Sequence, residues 1–308
     1  MEILQYTPDM PAPLAQFYNR LTADVPHCCP VTKEEFAIAL RGVTTGKADK
    51  SAGGLDSETA FVVITEGKVQ AFIHVGLGQI RDEDIGIIRF FGYDRGARRA
   101  GQAVLKKAED YLKTFNISRI FAFRSEHRYH FYHFEYAFLS DTLDQIQALL
   151  GFNGYHRSNG WVFLDWENYD VTPISSPIPI TLSVDWKDER GQRPTGIIKA
   201  HRDNEEVGLC VSVSGGEYSS HPDAQDWFHT VYLEIEGEFQ GQGVGRYLLQ
   251  YALWEMKKIG YRHATISTGW DDYRALLFYS NCGYRVIDWT YEYEKILSEP
   301  PTHNSLMR

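Results

Sequence analysis

The sequence predicts an α/β (α+β) fold made of two similar domains in tandem, and three observations support this prediction. The chain has 308 residues, which fits two domains of roughly 150 residues each. The stretch WENYDVTPISSPIP at 166–179 is rich in proline and serine and separates two apolar segments. The same order of predicted strands and helices occurs on both sides of it, with matching elements about 144 residues apart. We therefore predict domains at 1–166 and 180–298, a linker at 167–179 and a tail at 299–308.

The first domain is predicted from two periodicities. Alternating apolar residues predict strands, and apolar residues at intervals of three and four predict helices. In chain order they give a strand, two helices, three strands, a helix, a strand, a helix and a closing strand: Glu2–Thr7, Ala12–Thr22, Thr32–Arg41, Ala60–Thr65, Lys68–Val75, Ile85–Phe91, Gly101–Phe115, Ser118–Phe123, Asp141–Leu150 and Gly160–Asp165.

The second domain repeats this order with one difference. The short segment Lys187–Arg193 stands where the first domain has two helices. Gly260 lies just past the end of a long amphipathic segment, where a C-terminal capping glycine belongs. The predicted elements are four strands, a helix, a strand, a helix and a long strand: Ile180–Trp186, Thr195–His201, Val207–Val213, Phe228–Ile235, Val244–Ile259, His263–Thr268, Asp271–Asn281 and Tyr284–Ile296.

Composition excludes several classes of protein. The net charge of −10, without any basic run, argues against a nucleic-acid partner and is compatible with a cationic small molecule. The sequence contains no run of about 18 apolar residues, so it predicts no membrane span. The start, MEILQYTPDM, does not resemble a signal peptide, so we expect a cytoplasmic protein. The four cysteines contain no CxxC pair, so we expect free thiols and no metal.

The most informative segment is EFQGQGVGRYLLQ at 238–250, which lies between a predicted strand and a predicted helix. Gly241, Gly243 and Gly245 allow backbone N–H groups to approach an anion at the positive end of the helix dipole. Arg246 adds a cation. The segment lacks the Lys-Ser/Thr of a Walker loop and the GxGxxG spacing of a dinucleotide fingerprint. It therefore predicts a diphosphate site, and a tight turn that needs small residues is the structural alternative.

This segment resembles motif A of the GNAT N-acetyltransferase superfamily, Q/R-x-x-G-x-G/A, through Gln240, Gly243 and Gly245. The stretch DDYRALLFYSNCGY at 271–284 resembles a second family motif, N-x-x-A-x-x-(L/F)-Y-x-x-x-G-(F/Y). Here the family's asparagine is replaced by Asp272, and the matching residues are Ala275, Phe278, Tyr279, Gly283 and Tyr284.

The resemblance implies two tandem GNAT-like domains, each a mixed, mostly antiparallel sheet flanked by helices. It also implies acetyl-CoA as co-substrate, bound in the second domain by the glycine segment and by backbone groups of the preceding strand. The implied coenzyme-binding residues are Leu233, Ile235, Gln240, Gly241, Gln242, Gly243, Val244, Gly245, Arg246 and Asp272.

The resemblance also implies direct acetyl transfer to an amine, assisted by an acid and a base. Tyr279 matches the family's general acid, and a packed aromatic residue is the alternative. His229 matches a position that often holds the base, and histidine needs little tuning to act near neutrality. A hydrogen-bonded strand histidine is the alternative for His229. Glu234 is the second candidate base, and strand alternation predicts that it lies on the face opposite His229.

The first domain carries a degraded version of the glycine segment, YDRGARRAGQAVLKKAEDYL at 93–112. Arg98, Gly101 and Ala103 fit R-x-x-G-x-A, but matching the apolar positions of the helix instead places Arg99 where Gly243 stands. A long side chain there obstructs a backbone cradle. The following helix has no tyrosine at the acid position. We therefore expect a scaffold domain, and a second working coenzyme site is the alternative.

The stretch SEHRYHFYHFEY at 125–136 places His127, His130 and His133 at intervals of three. This spacing is compatible with metal ligands on a helix. We favour an aromatic loop that packs on the other domain or lines an acceptor cleft. In the second domain, the residues expected near the acceptor are Glu217, Tyr218, His221 and Trp227.

Together, these features predict an acetyl-CoA-dependent N-acetyltransferase that acts on a primary amine of a small molecule. We expect a monomer or homodimer with no nucleic-acid or membrane partner. Two alternatives remain open: a protein N-terminal or lysine acetyltransferase, and a non-catalytic acyl-CoA-binding module.

Overall fold

A computed structural model describes residues 1–50, 53–172 and 174–297. The predicted tail at 299–308, the last residue of the predicted second domain and one linker residue lie outside the described residues. The chain has the predicted α/β fold, with helices on mostly antiparallel sheets. None of the helices in the described ranges combines the length and the apolar character needed to cross a membrane.

The chain divides into two compact units. The first unit holds residues 1–132, 136–160 and the described residues from 290 onward, and the second holds 133–135 and 161–289. Three short segments therefore lie in a different unit from the one expected from the boundaries 1–166 and 180–298: residues 133–135, 161–166 and 290–297. The last two are parts of strands, so each sheet is completed by a strand from the other predicted domain.

The sheet of the first unit has the strand order β1-β2-β3-β4-β5-β13, in which β4 and β5 are parallel. Helix α2 begins with a capping box, in which the Thr32 and Glu35 side chains each accept a backbone N–H. The helix predicted at 32–41 is two short helices. The elements are β1 (Glu2–Gln5), α1 (Pro11–Leu21), α2 (Lys33–Ala39), α3 (Arg41–Thr45), β2 (Asp56–Thr65), β3 (Lys68–Ile80), β4 (Glu83–Tyr93), α4 (Arg98–Leu112), β5 (Arg119–Ala122), β6 (Leu139–Ser140), α5 (Asp144–Phe152) and, from Thr290 onward, β13 (Arg285–Ile296).

The sheet of the second unit has the order β7-β12-β11-β10-β9-β8, in which β11 and β12 are parallel. Gly260 has a φ of 100° just after α6, and Gly283 has a φ of 118° just after α7, as expected for capping glycines. The elements are β7 (His156–Trp166, in this unit from Trp161), β8 (Thr181–Lys187), β9 (Thr195–Arg202), β10 (Glu205–Ser214), β11 (Trp227–Ile235), α6 (Val244–Lys258), β12 (His263–Gly269) and α7 (Tyr273–Cys282).

Helices α6 and α7 cover the same face of the second sheet. Phe228 of β11, Ile266 of β12, Leu249 and Leu253 of α6, and Tyr279 of α7 belong to one buried apolar cluster. Burying such side chains stabilises the fold by about 1.5–3 kcal/mol each. This packing fixes the start of α6 and the inner side of α7 against the ends of β11 and β12.

Candidate active site

Strands β11 and β12 form a fork. They pair from Trp227 and His263 to Thr230 and Ile266, and then separate, although β11 continues to Ile235. On the β12 side, the backbone of residues 231–235 therefore lies outside the ladder. Such N–H and C=O groups are obligatory hydrogen-bonding groups, and an extended ligand satisfies them by adding as a strand. Leu233 and Ile235, predicted to hold the coenzyme, lie in this stretch.

A β-bulge lies where the fork opens. In the pairing of β11 with β10, Thr230 faces Ser212 but Tyr232 faces Val211, so Val231 is an extra residue in β11. A bulge of this kind bends the strand and turns the following side chains to the other face.

The bulge corrects one prediction. Because it interrupts the alternation, His229, Tyr232 and Glu234 share one face of the sheet, whereas Leu233 and Ile235 pack on the α6 side. The prediction that Glu234 lies opposite His229 was wrong, since it assumed a strand without a bulge. The two candidate bases are therefore on the same side of β11.

The glycine segment forms the turn between β11 and α6. Gly241 has a φ of 74° and Gly243, the N-cap residue of α6, a φ of 86°. A Cβ atom would have room at both positions, so the left-handed backbone is what requires glycine. The Gln240 side chain donates to the carbonyl oxygen of Ile235 at 2.8 Å and ties the turn to the end of the strand.

This turn fits a diphosphate group. The first N–H groups of α6 have no partner within the helix, and the helix dipole adds positive potential there. The Gln242 side chain donates to the Glu238 carbonyl oxygen at 2.7 Å and closes the turn. Val244 is buried, and Gly245 lies within van der Waals reach of Ile235 and Phe278.

Arg246 and Asp272 contact opposite ends of α7. The guanidinium of Arg246 is exposed and donates to the carbonyl oxygen of Asn281 at 2.9 Å, which links the start of α6 to the end of α7. Asp272 is the N-cap of α7, and its carboxylate accepts the N–H of Ala275 at 3.0 Å. Asp272 thus caps the N-terminus of α7. Its contact with the coenzyme stays a prediction.

Tyr279 lies on the inner side of α7, between the rings of Phe278 and Tyr284. Its side chain is 8% exposed. Burial raises the pKa of the Tyr279 phenol above its ordinary value, so the hydroxyl keeps its proton at neutral pH. This state is required of a general acid, and it is equally compatible with a packed aromatic residue.

His229 is fully buried, with 0% of the residue exposed. Its Nε2 atom and the Ser267 Oγ atom are hydrogen bonded at 3.1 Å. The ring of Phe134 stacks on the imidazole at 5.3 Å, and that of Phe163 lies 5.7 Å away. Ser267 is the first residue of β12 beyond the paired part, so this hydrogen bond links the buried imidazole to the start of the fork.

Glu234 and Tyr232 are exposed on the same face, and the Tyr232 hydroxyl donates to the Glu234 carboxylate. Of the two candidate bases, Glu234 is therefore the one that solvent reaches directly. Its position places a negative charge beside the open part of β11.

The residues expected near the acceptor are scattered. Glu217 accepts the backbone N–H of Gly191 at 2.9 Å, His221 accepts that of Asp223 at 3.3 Å, and Trp227 stacks on His263. Tyr218 contacts the surroundings of His229, because its ring packs on Phe134 at 5.2 Å. Sequence reasoning placed Tyr218 in this region and expected the aromatic stretch at 125–136 to pack on the other domain or line an acceptor cleft, but it did not single out Phe134.

The histidines of the aromatic stretch separate. His127 Nδ1 is hydrogen bonded to the Gly53 carbonyl oxygen at 3.0 Å in the first unit. His133, in the second unit, lies 3.4 Å from Asp288. Among the described residues, no group of three or more His, Cys, Asp or Glu side chains is arranged to hold a metal ion.

The corresponding turn of the first unit differs. Strand β4 and helix α4 are joined by residues 94–97, whereas β11 and α6 are joined by residues 236–243. Buried positions of the two helices match when Arg99 is placed opposite Gly243, and Arg99 already lies inside α4. The first unit therefore has a helical residue where the second has its left-handed N-cap glycine.

Comparison with families of known proteins matches residues 194–286 to the acetyltransferase (GNAT) domain. Comparison with curated proteins gives no significant match. A GCN5-related glucosamine N-acetyltransferase region of a fungal multi-domain GH3 β-N-acetylglucosaminidase is similar in structure, with 13% identity and a TM-score of 0.64. The match covers 95% of this chain and spans 38% of that protein.

Two further solved structures match along nearly their whole length. A tandem GNAT protein from the clavulanic acid biosynthesis pathway has 12% identity and a TM-score of 0.65, covering 97% of this chain and 99% of its own. A GCN5-related N-acetyltransferase from Sphaerobacter thermophilus has 12% identity and a TM-score of 0.61, covering 96% and 95%. Residues 194–286 are therefore similar to the GNAT acetyltransferase domain, and the fold of the chain is similar to that of these solved structures, one of which is a tandem GNAT protein.

Proposed function

We propose that the protein is an acetyl-CoA-dependent N-acetyltransferase that moves an acetyl group directly to a primary amine of a small molecule. The second unit carries the reaction. One observation carries the proposal: the open backbone of β11 at 231–235 leads directly into the glycine turn at 240–246. Consecutive parts of the chain are thus able to bind an extended thioester arm and the diphosphate attached to it.

Acetyl-CoA, when bound, supplies a thioester carbonyl as the acyl donor. Backbone groups of Leu233 and Ile235 hold its arm, and the turn from Gln240 to Arg246 holds its diphosphate. The bulge at Val231 directs backbone N–H groups into the fork, where they stabilise negative charge on the carbonyl oxygen during transfer.

Two proton transfers accompany the exchange of a C–S bond for a C–N bond. The neutral amine attacks the carbonyl carbon and gives up a proton, and the departing thiolate takes one from Tyr279. His229 receives the amine proton through the Ser267 hydroxyl, a path supported by their 3.1 Å hydrogen bond. Glu234 is the alternative proton acceptor, because it is exposed beside the fork.

An amine acceptor is supported by the charge of this region. Glu234 lies on the open face of β11, and the chain has a net charge of −10. A negative surface attracts protonated amines and raises their local concentration before one of them loses its proton and reacts.

Two measurements test the proposal. Titration calorimetry should give one acetyl-CoA site per chain, and release of free CoA thiol should follow on addition of small primary amines. A non-catalytic module would bind acetyl-CoA without releasing CoA with any amine. A protein acetyltransferase would release CoA with peptides and leave small amines unchanged, and mass spectrometry of the products distinguishes these cases.

A further inference from the structure

The segment His133–Glu135 belongs to the second unit although it lies in the first half of the sequence. The chain leaves the first unit after Tyr132 and returns to it at Tyr136. His133 and Tyr136 have φ values of 58° and 69°, a left-handed conformation that costs a non-glycine residue about 1–3 kcal/mol. Surrounding contacts must therefore hold these three residues in place.

His133 anchors the segment. Its Nε2 atom lies 3.4 Å from the Asp288 carboxylate, and neither side chain is exposed. The Nδ1 atom accepts the N–H of Phe134 at 2.7 Å, and the imidazole packs on Phe163 at 4.2 Å. A buried histidine–carboxylate contact of this kind is costly to break, so it fixes the direction in which the next two residues point.

Phe134 follows this anchor onto the His229 face of β11, and Glu135 is the next residue in the chain. The Phe134 ring lies between His229, at 5.3 Å, and Tyr218, at 5.2 Å. The Tyr218 hydroxyl donates to Glu135 Oε2 at 3.2 Å. The Glu135 carboxylate is thus held by Tyr218, which is buried. The Tyr218 ring contacts Phe134, and Phe134 covers His229.

Glu135 is exposed, and within the described residues no lysine or arginine forms an ion pair with its carboxylate. A carboxylate has about four acceptor positions, and Tyr218 uses one of them. We infer that Glu135 is a specificity-determining residue of the acceptor site, and that it binds a positively charged group of the acceptor. This inference rests on the proposed acyl transfer in the second unit.

The chemistry of the reaction narrows the acceptor. The nitrogen that attacks the thioester must be neutral, so the positive charge bound by Glu135 is on a different atom of the same molecule. The acceptor class is therefore an amine with a second cationic group, such as a diamine.

The test compares 1,4-diaminobutane with n-butylamine, which have the same carbon chain but differ in the second charge. In Glu135→Gln, kcat/KM for the diamine should fall about tenfold through KM, as expected for loss of a hydrogen bond to a charged group. The value for butylamine should stay unchanged. Glu135→Asp should restore part of the preference. Glu126→Gln, at an exposed glutamate of the same stretch in the first unit, is the matched control and should change neither value.

An unchanged preference in Glu135→Gln, or an equal loss for both amines, would overturn the inference. If none of the amines causes the protein to release CoA, the result contradicts the proposed acyl transfer to amines and not the role of Glu135. In that case calorimetry of the two amines with CoA-loaded protein still tests Glu135, because equal affinities for the two amines contradict its role.

Discussion

Strands β4 and β11 have the same backbone design in the two units. In β4, Ile88 faces Val75 but Phe90 faces His74, so Arg89 is an extra residue, as Val231 is in β11. Each strand also leaves its parallel neighbour: β4 pairs with β5 only as far as Ile88. Both units therefore contain a bulge at the opening of a fork.

The side chains over the two bulges differ. Phe90 is 2% exposed, whereas Tyr232, which follows the other bulge, is 44% exposed. Next along β4, Gly92 faces Leu21 of α1, whose side chain would lie 2.2 Å from a Cβ atom at this position, and its counterpart in β11 is the exposed Glu234. The first unit covers this face with helices, and the second has Lys187–Arg193 in their place. Both units have a fork because they share a fold. Access of a ligand to the fork depends on which segments lie over this face of the sheet.

Arg89 closes the first fork further. It is 6% exposed, its Nε donates to the His127 carbonyl oxygen at 2.7 Å, and its guanidinium lies 3.4 Å from the Glu58 carboxylate. The Tyr129 ring packs below it at 5.2 Å. A buried cation with its own partners is fixed in place, which supports the proposal that the first unit is a scaffold.

Substitution of one left-handed glycine in each strand-to-helix turn should separate the two units most strongly. Gly243→Glu should remove measurable acetyl-CoA binding, because the side chain and its charge enter the diphosphate turn and the left-handed backbone becomes strained. Gly96→Glu is the matched control, since Gly96 has a φ of 87° in the corresponding turn of the first unit and has space around it. Calorimetry should show normal binding for this control. Loss of binding in both variants would contradict the assignment of the site to the second unit.

Arg89→Met should destabilise the protein by about 3–5 kcal/mol, since it leaves the buried Glu58 charge without its arginine. Urea denaturation measures this loss. The affinity for acetyl-CoA should not change, and the double variant Arg89→Met/Glu58→Gln should regain part of the stability. Stability equal to that of the unchanged protein would mean that Arg89 does not fix the first fork.

Tyr279→Phe should lower kcat by about 10²-fold while the affinity for acetyl-CoA stays nearly constant, because only the proton donor is removed. Tyr155→Phe, at a buried tyrosine of the first unit, should keep full turnover. Since burial raises the pKa of Tyr279, its proton is retained as the pH rises. No loss of activity on the alkaline side should therefore occur below the ordinary tyrosine pKa of about 10. Normal turnover in Tyr279→Phe would leave this residue a packing role.

His229→Gln should have the smallest effect, about tenfold on kcat/KM at neutral pH, because His229 acts through Ser267. A base works only when unprotonated, so activity falls as the pH decreases, and the variant should flatten this acidic limb. If His229→Gln keeps the limb and Glu234→Gln removes it, Glu234 is the base. Near-ultraviolet circular dichroism checks that the buried site remains packed.

Features set by local sequence were predicted well. The glycine turn at 240–246, the helix behind it and the capping glycines Gly260 and Gly283 depend on neighbouring residues, so their patterns are visible in the chain. The bulge at Val231 was not predicted, because it exists only in the register between β11 and β10. The positions of Phe134 and Glu135 depend on contacts across a large sequence separation, which no local periodicity reports.

Each unit contains residues from both halves of the sequence, and this constrains the order in which the protein folds. Strand β5 of the first unit pairs with residues 293–296 of β13, which a ribosome makes after the whole of the second unit. The first unit therefore waits for its last strand during synthesis, with the edge of β5 open to chaperones or to another nascent chain. A cut in the linker would separate each sheet from one of its strands, so we expect the two halves to be soluble together and to aggregate when expressed apart.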